Sequence, residues 1–282
     1  MKVIDMRMRP PTPEFKQQHK ELEAYIAAHY PIRAKQFPGW QSQSLEECVN
    51  EMEELDYVGV VAGRHIPATK IANEHVKKLA DQYPARFVAV GGADPSPSNR
   101  RAAQDEIERI AKVLKFKGVA IEPGFLDPPM LANDRRLYPI WAQCNDLGLF
   151  VGLQIGPYAG PTAAFSSPLQ VEQIAIDFPK LQIVLHHGAY PYFEDALAMM
   201  TRFKNIWCSP DTYVRGHAWE HYMFMANGPR WTDRILYGAA TPYGIGLRAS
   251  LEWHQKNWKL DPAAAERYFY KNACELLGIK PS

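Results

Sequence analysis

Asp5, Arg7 and Arg9 occupy every second position of the run Val3-Ile4-Asp5-Met6-Arg7-Met8-Arg9-Pro10. Alternate side chains of an extended segment leave by one face, so the three charges are expected on the same side. Two guanidiniums so placed make a fixed cationic floor. Arginine stays protonated, offers only donors, and grips a carboxylate or phosphate through paired hydrogen bonds. Asp5 is expected to pair with one of them and fix its direction. The alternative for this trio is an interior salt-bridge network with no ligand.

Other groups able to move protons or hold an anion follow later apolar runs. Arg64-His65 adds a positive and a titratable group, Glu122 precedes Pro123-Gly124, and Gln154 stands near the end of another apolar run. His186-His187-Gly188 closes Ile183-Val184-Leu185, Asp211 and Tyr213 follow Trp207-Cys208-Ser209-Pro210, and Thr241 comes just after the last run. Imidazole titrates near neutral pH, which suits it to general acid or base work. Because successive side chains alternate, one of the two histidines faces inward, and His187 is the one expected to do so. Glu122 and Asp211 are expected to share proton transfer with it, although a structural role for Glu122 and a loop cap for Asp211 explain them equally well. Arg7, Arg9, Arg64, His65, Gln154, Tyr213 and Thr241 are expected to bind substrate, and the excess of positive groups makes that substrate a small organic anion.

To bring these residues together the chain needs eight short strands, read at 3–6, 57–62, 87–91, 118–122, 149–155, 182–186, 205–209 and 235–238. Between them the spacing predicts helices, among them 44–55, 68–81, 97–114, 134–147 and 190–203. Strand and helix in strict alternation imply parallel strands joined by right-handed crossovers. Runs such as Val58-Gly59-Val60-Val61 suit a sheet buried on both faces. Eight such units point to an α/β fold of the (β/α)8 TIM-barrel class, one domain over residues 1–282, with chemistry collected where the strands end. The segment 10–39, with Pro11, Pro13, Pro31 and Pro38 around a helical patch, is too long for an ordinary connection. It is expected to be a lid or a subunit contact inserted after the first strand.

A formal net charge of +1, with 22% charged residues and no long block of one sign, gives no electrostatic footprint for nucleic acid or an anionic membrane. The apolar runs fall short of the roughly 20 residues a membrane span needs, so a cytoplasmic protein is expected. Cys48, Cys144, Cys208 and Cys274 lie far apart and are expected to be buried thiols. The protein itself is the expected partner, as a homodimer or higher homo-oligomer.

Several landmarks together resemble the amidohydrolase-related (amidohydrolase 2) family, which has decarboxylase and lactone-hydrolase members. They are Ile4-Asp5-x-Arg7-x-Arg9-Pro10, Lys117-Gly118-Val119, Leu131-x-x-Asp134-x-x-x-x-Tyr138-Pro139-Ile140-Trp141 and Ile183-Val184-Leu185-x-His187-Gly188. Arg234-Ile235-Leu236-Tyr237-Gly238 and the ending Lys271-Asn272-Ala273-x-x-Leu276-Leu277-Gly278 complete the set. The resemblance covers nearly the whole chain and implies the barrel. It also implies a metal site, but the two first-strand histidine ligands fall at Arg7 and Arg9, the fifth-strand histidine at Gln154, and the eighth-strand aspartate at Ala240. Only His187 keeps its expected type. A divalent cation needs about three or four protein ligands of the His, Asp, Glu or Cys kind. No metal and no cofactor are therefore expected, unless His65, Glu122, His187 and Asp211 assemble a different site. The implied function is a metal-independent hydrolase acting on a lactone, amide or ester that carries a carboxylate. The alternatives are a carboxy-lyase for an aromatic or unsaturated acid, and an inactive anion-binding protein.

Overall fold

Runs of Val, Ile and Leu four to six residues long bury both faces at once only if helices cover one side and other strands fill the other. That is the arrangement in the computed structural model, which describes residues 2–29, 43–215 and 219–281. The strands are β1 (Val3–Met8), β2 (Tyr57–Ala62), β3 (Arg64–Ile66), β4 (Thr69–Ile71), β5 (Phe87–Gly92), β6 (Gly118–Ile121), β7 (Phe150–Gln154), β8 (Ile183–His186) and β9 (Ile206–Ser209). Seven of them pair in parallel in the order β1-β2-β5-β6-β7-β8-β9.

The expected eighth strand supplies the closing stave. Cys208 bridges Ile235 in parallel, the Leu236 N–H donates to the Cys208 carbonyl at 2.8 Å, and the Met6 N–H donates to the Tyr237 carbonyl at 2.9 Å. The segment around 235–238 thus hydrogen-bonds to the last sheet strand on one side and to the first on the other, which closes the ring.

The helices are α1 (Pro13–His29), α2 (Leu45–Glu54), α3 (Asn73–Gln82), α4 (Arg100–Lys112), α5 (Tyr138–Leu147) and α6 (Glu172–Asp177). After them come α7 (Phe193–Arg202), α8 (Trp219–Asn227), α9 (Leu247–Asn257), α10 (Pro262–Glu266) and α11 (Asn272–Leu277). α2 starts on a capping box: the Ser44 side chain accepts from the Glu47 N–H and Glu47 reaches back to the Ser44 N–H. One apolar layer, including Val61, Ile107, Trp141 and Ile183, lies between strands and helices. A second, including Ile4, Val58, Phe150 and Val184, fills the barrel and continues into Ala273 and Leu277 of α11 at its lower end. Burying one such side chain contributes about 1.5–3 kcal/mol. The four cysteines are all buried and unpaired.

One expectation needs correction, and one is partly described. The helix read over 68–81 begins only at Asn73, because 64–71 forms the antiparallel hairpin β3–β4. Its alternating burial, with Ile66 and Ile71 inside and His65 and Lys70 less so, is a period of two that outweighs helical spacing over so short a stretch. The insertion read over 10–39 is represented by α1, and its remainder, 30–39, lies outside the described residues. α1 packs Leu22 and Ile26 against Ile66 and Phe125, so it sits over the strand ends.

Candidate active site

A β-bulge decides which way the first strand's charges point. Asp5 pairs with Gly59 but Met8 with Val61, so β1 spends one more residue than β2 over that stretch. The simple alternation expected for Asp5, Arg7 and Arg9 is therefore interrupted, and Asp5 does not pair with an arginine. It is fully buried, with Oδ1 accepting the N–H groups of Arg7 (2.8 Å) and Ala239 (3.0 Å) and Oδ2 accepting the Tyr57 hydroxyl (2.7 Å). Burial raises its pKa to about 6, against the lowering effect of those donors. Asp5 ties the first stave to the eighth.

Beyond the bulge Arg7 and Arg9 both line a cavity inside the barrel, together with Arg64, Glu122 and His186. Arg7 donates through Nη2 to the Gln154 side-chain oxygen at 3.0 Å. Burial and the neighbouring Arg9 lower its pKa to about 10, which leaves it protonated at neutral pH. Arg9 lies over the Tyr243 ring, 4.9 Å from its centroid, and α1 adds His19 against the same ring.

Arg64 grips Glu122 in a buried two-pronged pair, Nε to Oε2 at 2.6 Å and Nη2 to Oε1 at 2.7 Å. Burial alone would raise the Glu122 pKa, but Arg64, Arg7 and Arg9 outweigh it and hold the carboxyl ionised. The geometry thus reassigns Glu122 from proton transfer to counter-ion, because both oxygens are engaged by a permanent cation. Three guanidiniums face one cavity carboxylate, an excess of positive charge in a nearly dry space.

The two histidines at the end of β8 divide the work. His186 is the one that lines the cavity, 5% exposed, with its pKa pushed well down by burial and by Arg7, His187 and Arg9. His187 leaves the strand with φ +66° and turns to Asp211, itself at φ +42°. Left-handed backbone at a residue with a side chain costs on the order of 1–3 kcal/mol and is tolerated where the surroundings enforce it. Here both strained residues meet in one contact. His187 Nδ1 lies 2.9 Å from Asp211 Oδ1, and the His187 N–H donates to Oδ2 at 3.1 Å. Asp211 is fully buried, whereas the His187 side chain is 14% exposed. Gly156 makes room: a Cβ there would lie 2.7 Å from the His187 Cβ.

With Nδ1 engaged, Nε2 is the His187 nitrogen left to exchange a proton. Burial, helped by Arg7 and Arg9, lowers the His187 pKa against the raising effect of Asp211, so the ring is neutral near pH 7 and able to accept.

The remaining candidates scatter. Tyr213 sets its ring edge-on to His187 at 5.4 Å and stacks on Tyr190 at 4.9 Å. Thr241 is buried, follows Ala240 at φ +54°, and is not among the residues lining the cavity. His65 is a correction: it faces a surface depression with Glu74, Asp94, Glu106 and Arg109, away from the guanidiniums, because β3 alternates and sends Arg64 inward. Sequence reasoning missed His186 as a cavity residue and the Tyr57 hydroxyl as the Asp5 partner. Polarity at a strand end was the available signal for His186. Nothing in the sequence points to Tyr57.

These residues do not fit a divalent cation. Arg7 and Arg9 are cationic donors, Gln154 is committed to Arg7, and Ala240 offers no side-chain donor. No group of three or more His, Cys, Asp or Glu side chains placed to hold a metal occurs among the described residues. The different set considered above, His65, Glu122, His187 and Asp211, is not brought together, since His65 faces the surface and Glu122 is clasped by Arg64.

A family model described as amidohydrolase matches residues 4–279. No curated protein matches the chain. Among solved structures, an uncharacterised TIM-barrel protein from Bordetella bronchiseptica superposes with a TM-score of 0.86 at 30% identity, covering 99% of both chains. The 2,6-dihydroxybenzoate decarboxylase from Rhizobium gives 0.69 at 16% identity over 99% of both chains. A protein from Pseudomonas putida assigned as a 2-pyrone-4,6-dicarboxylic acid hydrolase gives 0.66 at 14%, over 100% of this chain and 99% of that one. At those lower identities the likeness is one of fold.

Proposed function

The chain belongs to the amidohydrolase family, and from that premise we propose that it hydrolyses a small carboxylate-bearing lactone, amide or ester without a metal. The observation that carries this reading is the His187–Asp211 hydrogen bond beside buried, permanently charged arginines. In the proposed reaction His187 Nε2 removes a proton from water as its oxygen bonds to the substrate carbonyl carbon. The carbonyl electron pair moves to oxygen, where the guanidiniums of Arg7 and Arg9 stabilise it in a low-dielectric setting. Collapse then breaks the bond to the leaving oxygen or nitrogen, which takes the proton back from His187. Asp211 keeps the imidazole in the required tautomer and favours its cationic form while the proton is held.

Decarboxylation is the second reading, supported by the fold shared with a dihydroxybenzoate decarboxylase. It ranks lower on electrostatic grounds. Guanidiniums that pair with a carboxylate stabilise the charged ground state, whereas loss of carbon dioxide is helped by leaving that carboxylate unpaired. Hydrolysis places its new negative charge next to the cations.

The test is a screen of lactones, esters and amides of small acids, with carbon dioxide release followed alongside acid production. Arg9→Met and His187→Asn are each expected to lower turnover by at least about a hundredfold, or about 2.7 kcal/mol of barrier, in a protein that stays folded. Turnover within tenfold of wild type in both variants would sink the proposed site, and stoichiometric carbon dioxide would select the second reading.

A further inference from the structure

The cavity holding Arg7, Arg64 and His186 has a volume of about 30 Å³. That is room for two or three waters, enough for a carboxylate group and too little for the rest of a lactone, amide or ester substrate. Among the buried polar atoms on its lining side chains that make no hydrogen bond among the described residues are Arg7 Nε, Arg64 Nη1 and His186 Nδ1, with the Gln18 amide on the α1 side. The Arg7, Arg64 and His186 side chains are 8%, 7% and 5% exposed. Leaving a buried donor unmatched costs about 1–3 kcal/mol, more for a charged group, so three such atoms on side chains that line one small space call for an acceptor. Around them the wall is apolar, with Met6, Val60, Val90 and Phe150. Such a wall excludes competing water and strengthens any ion bond made inside.

Resting on the hydrolase reading above, we infer that this inner cavity is a subsite for one carboxylate of the substrate, bound head-first by Arg7, Arg64 and His186. A carboxylate is planar and has two oxygens, which suits two or three water-sized positions. Phosphate and sulfate are tetrahedral, carry four oxygens, and do not fit. Glu122 neutralises one of the three lining arginines, so the cavity keeps positive charge for the incoming anion. His186 contributes a neutral donor through the tautomer protonated at Nδ1. A Cβ on Gly152 would lie 2.7 Å from His186 Nε2, so the ring rests directly on that glycine and is held in place. His186 and His187 are consecutive, with Cα atoms ~3.8 Å apart. His186 is a specificity-determining residue on this account, and His187 the base.

The experiment titrates the intact protein with formate, acetate and sulfate by calorimetry, and follows the imidazole nitrogens of ¹⁵N-histidine-labelled protein by NMR. Formate and acetate are expected to bind one site per chain, to shift the His186 nitrogens, and to inhibit turnover competitively. Sulfate is expected to bind at least tenfold more weakly. His186→Leu is expected to weaken formate at least tenfold. If that variant does not fold, the wild-type His186 shifts with formate carry the test alone. Formate and acetate leaving the His186 nitrogens unmoved overturns the subsite, as does sulfate binding equally well. Loss of turnover in His187→Asn combined with no formate binding would reject the subsite and keep the hydrolase. Formate binding with turnover indifferent to His187 would do the reverse.

Discussion

Asp5 and Asp211 are both fully buried and both accept three hydrogen bonds, two from backbone N–H groups and one from a side chain. They differ in that one side chain. Asp5 receives the Tyr57 hydroxyl at 2.7 Å, a group that can donate or accept with equal ease. Asp211 receives His187, whose two nitrogens are linked, so fixing the proton on Nδ1 decides what Nε2 can do. Burial and hydrogen-bond number alone therefore do not mark a catalytic carboxylate. The chemistry of the partner does, and Asp5 reads as a clasp where Asp211 reads as a positioning residue.

Replacing each with asparagine sharpens the contrast. At position 211 the amide must set its NH₂ either against the His187 N–H or against His187 Nδ1 and the Thr212 N–H, since all three are donors. The first sets the NH₂ against the His187 N–H alone; the second sets it against the Thr212 N–H and forces His187 Nδ1 to accept, which is the wrong tautomer. Asp211→Asn is expected to lower turnover by about 10³–10⁴-fold, or about 4.1–5.4 kcal/mol of barrier, with the far-ultraviolet spectrum unchanged. A loss smaller than tenfold would erase the distinction drawn between the two aspartates.

At position 5 the same exchange is benign. The amide oxygen can take both backbone N–H groups while its NH₂ donates to Tyr57, whose hydroxyl reverses. Asp5→Asn is expected to stay within about 1 kcal/mol of wild type in urea unfolding. Asp5→Leu orphans all three donors and is expected to cost about 3 kcal/mol or more. Equal destabilisation by the two substitutions would show that Asp5 is held for its charge and not as a clasp.

The same asymmetry governs what could be read from the sequence. The eight staves were legible because Val- and Ile-rich runs between Pro and Gly are a strong pattern, and the matching of Ile183-Val184-Leu185 to β8 is an example. The hairpin at 64–71 was not, since three-residue strands leave too few positions to show a period. Arg7 and Arg9 were legible as cavity groups from residue type and alternation. The bulge that turned Asp5 aside depends on how β1 registers against β2, which no local pattern encodes. Arg64 and Glu122 lie 58 positions apart, so each was seen as a strand-end polar group and neither as the other's partner. At 186–187 the alternation rule assigned the inward place to the wrong member, because His187 takes left-handed backbone that an L-residue rarely adopts.

A last comparison sets Asp5 against a second buried titratable group, His254, and it turns on sign. His254 donates from Nδ1 to the Ser250 carbonyl at 2.7 Å and meets the Tyr268 hydroxyl through Nε2 at 3.2 Å. Burial lowers its pKa to about 4, so the folded state resists a proton that the unfolded chain accepts below about 6.5. Its contribution is intact above that value and is lost as the pH falls from about 6.5 towards about 4. Asp5 behaves oppositely, because its folded pKa of about 6 lies above the unfolded 3.8. Its contribution is full below about 3.8 and is lost as the pH rises through about 6. Between about pH 7.5 and about pH 5.5 the histidine therefore subtracts about 1 kcal/mol while the aspartate returns nearly as much. His254→Gln is expected to lose about 1 kcal/mol less than wild type over that interval, and Asp5→Asn about 1 kcal/mol more. Urea unfolding at the two pH values checks both. Parallel slopes in all three proteins would mean that neither group titrates between its folded and unfolded values.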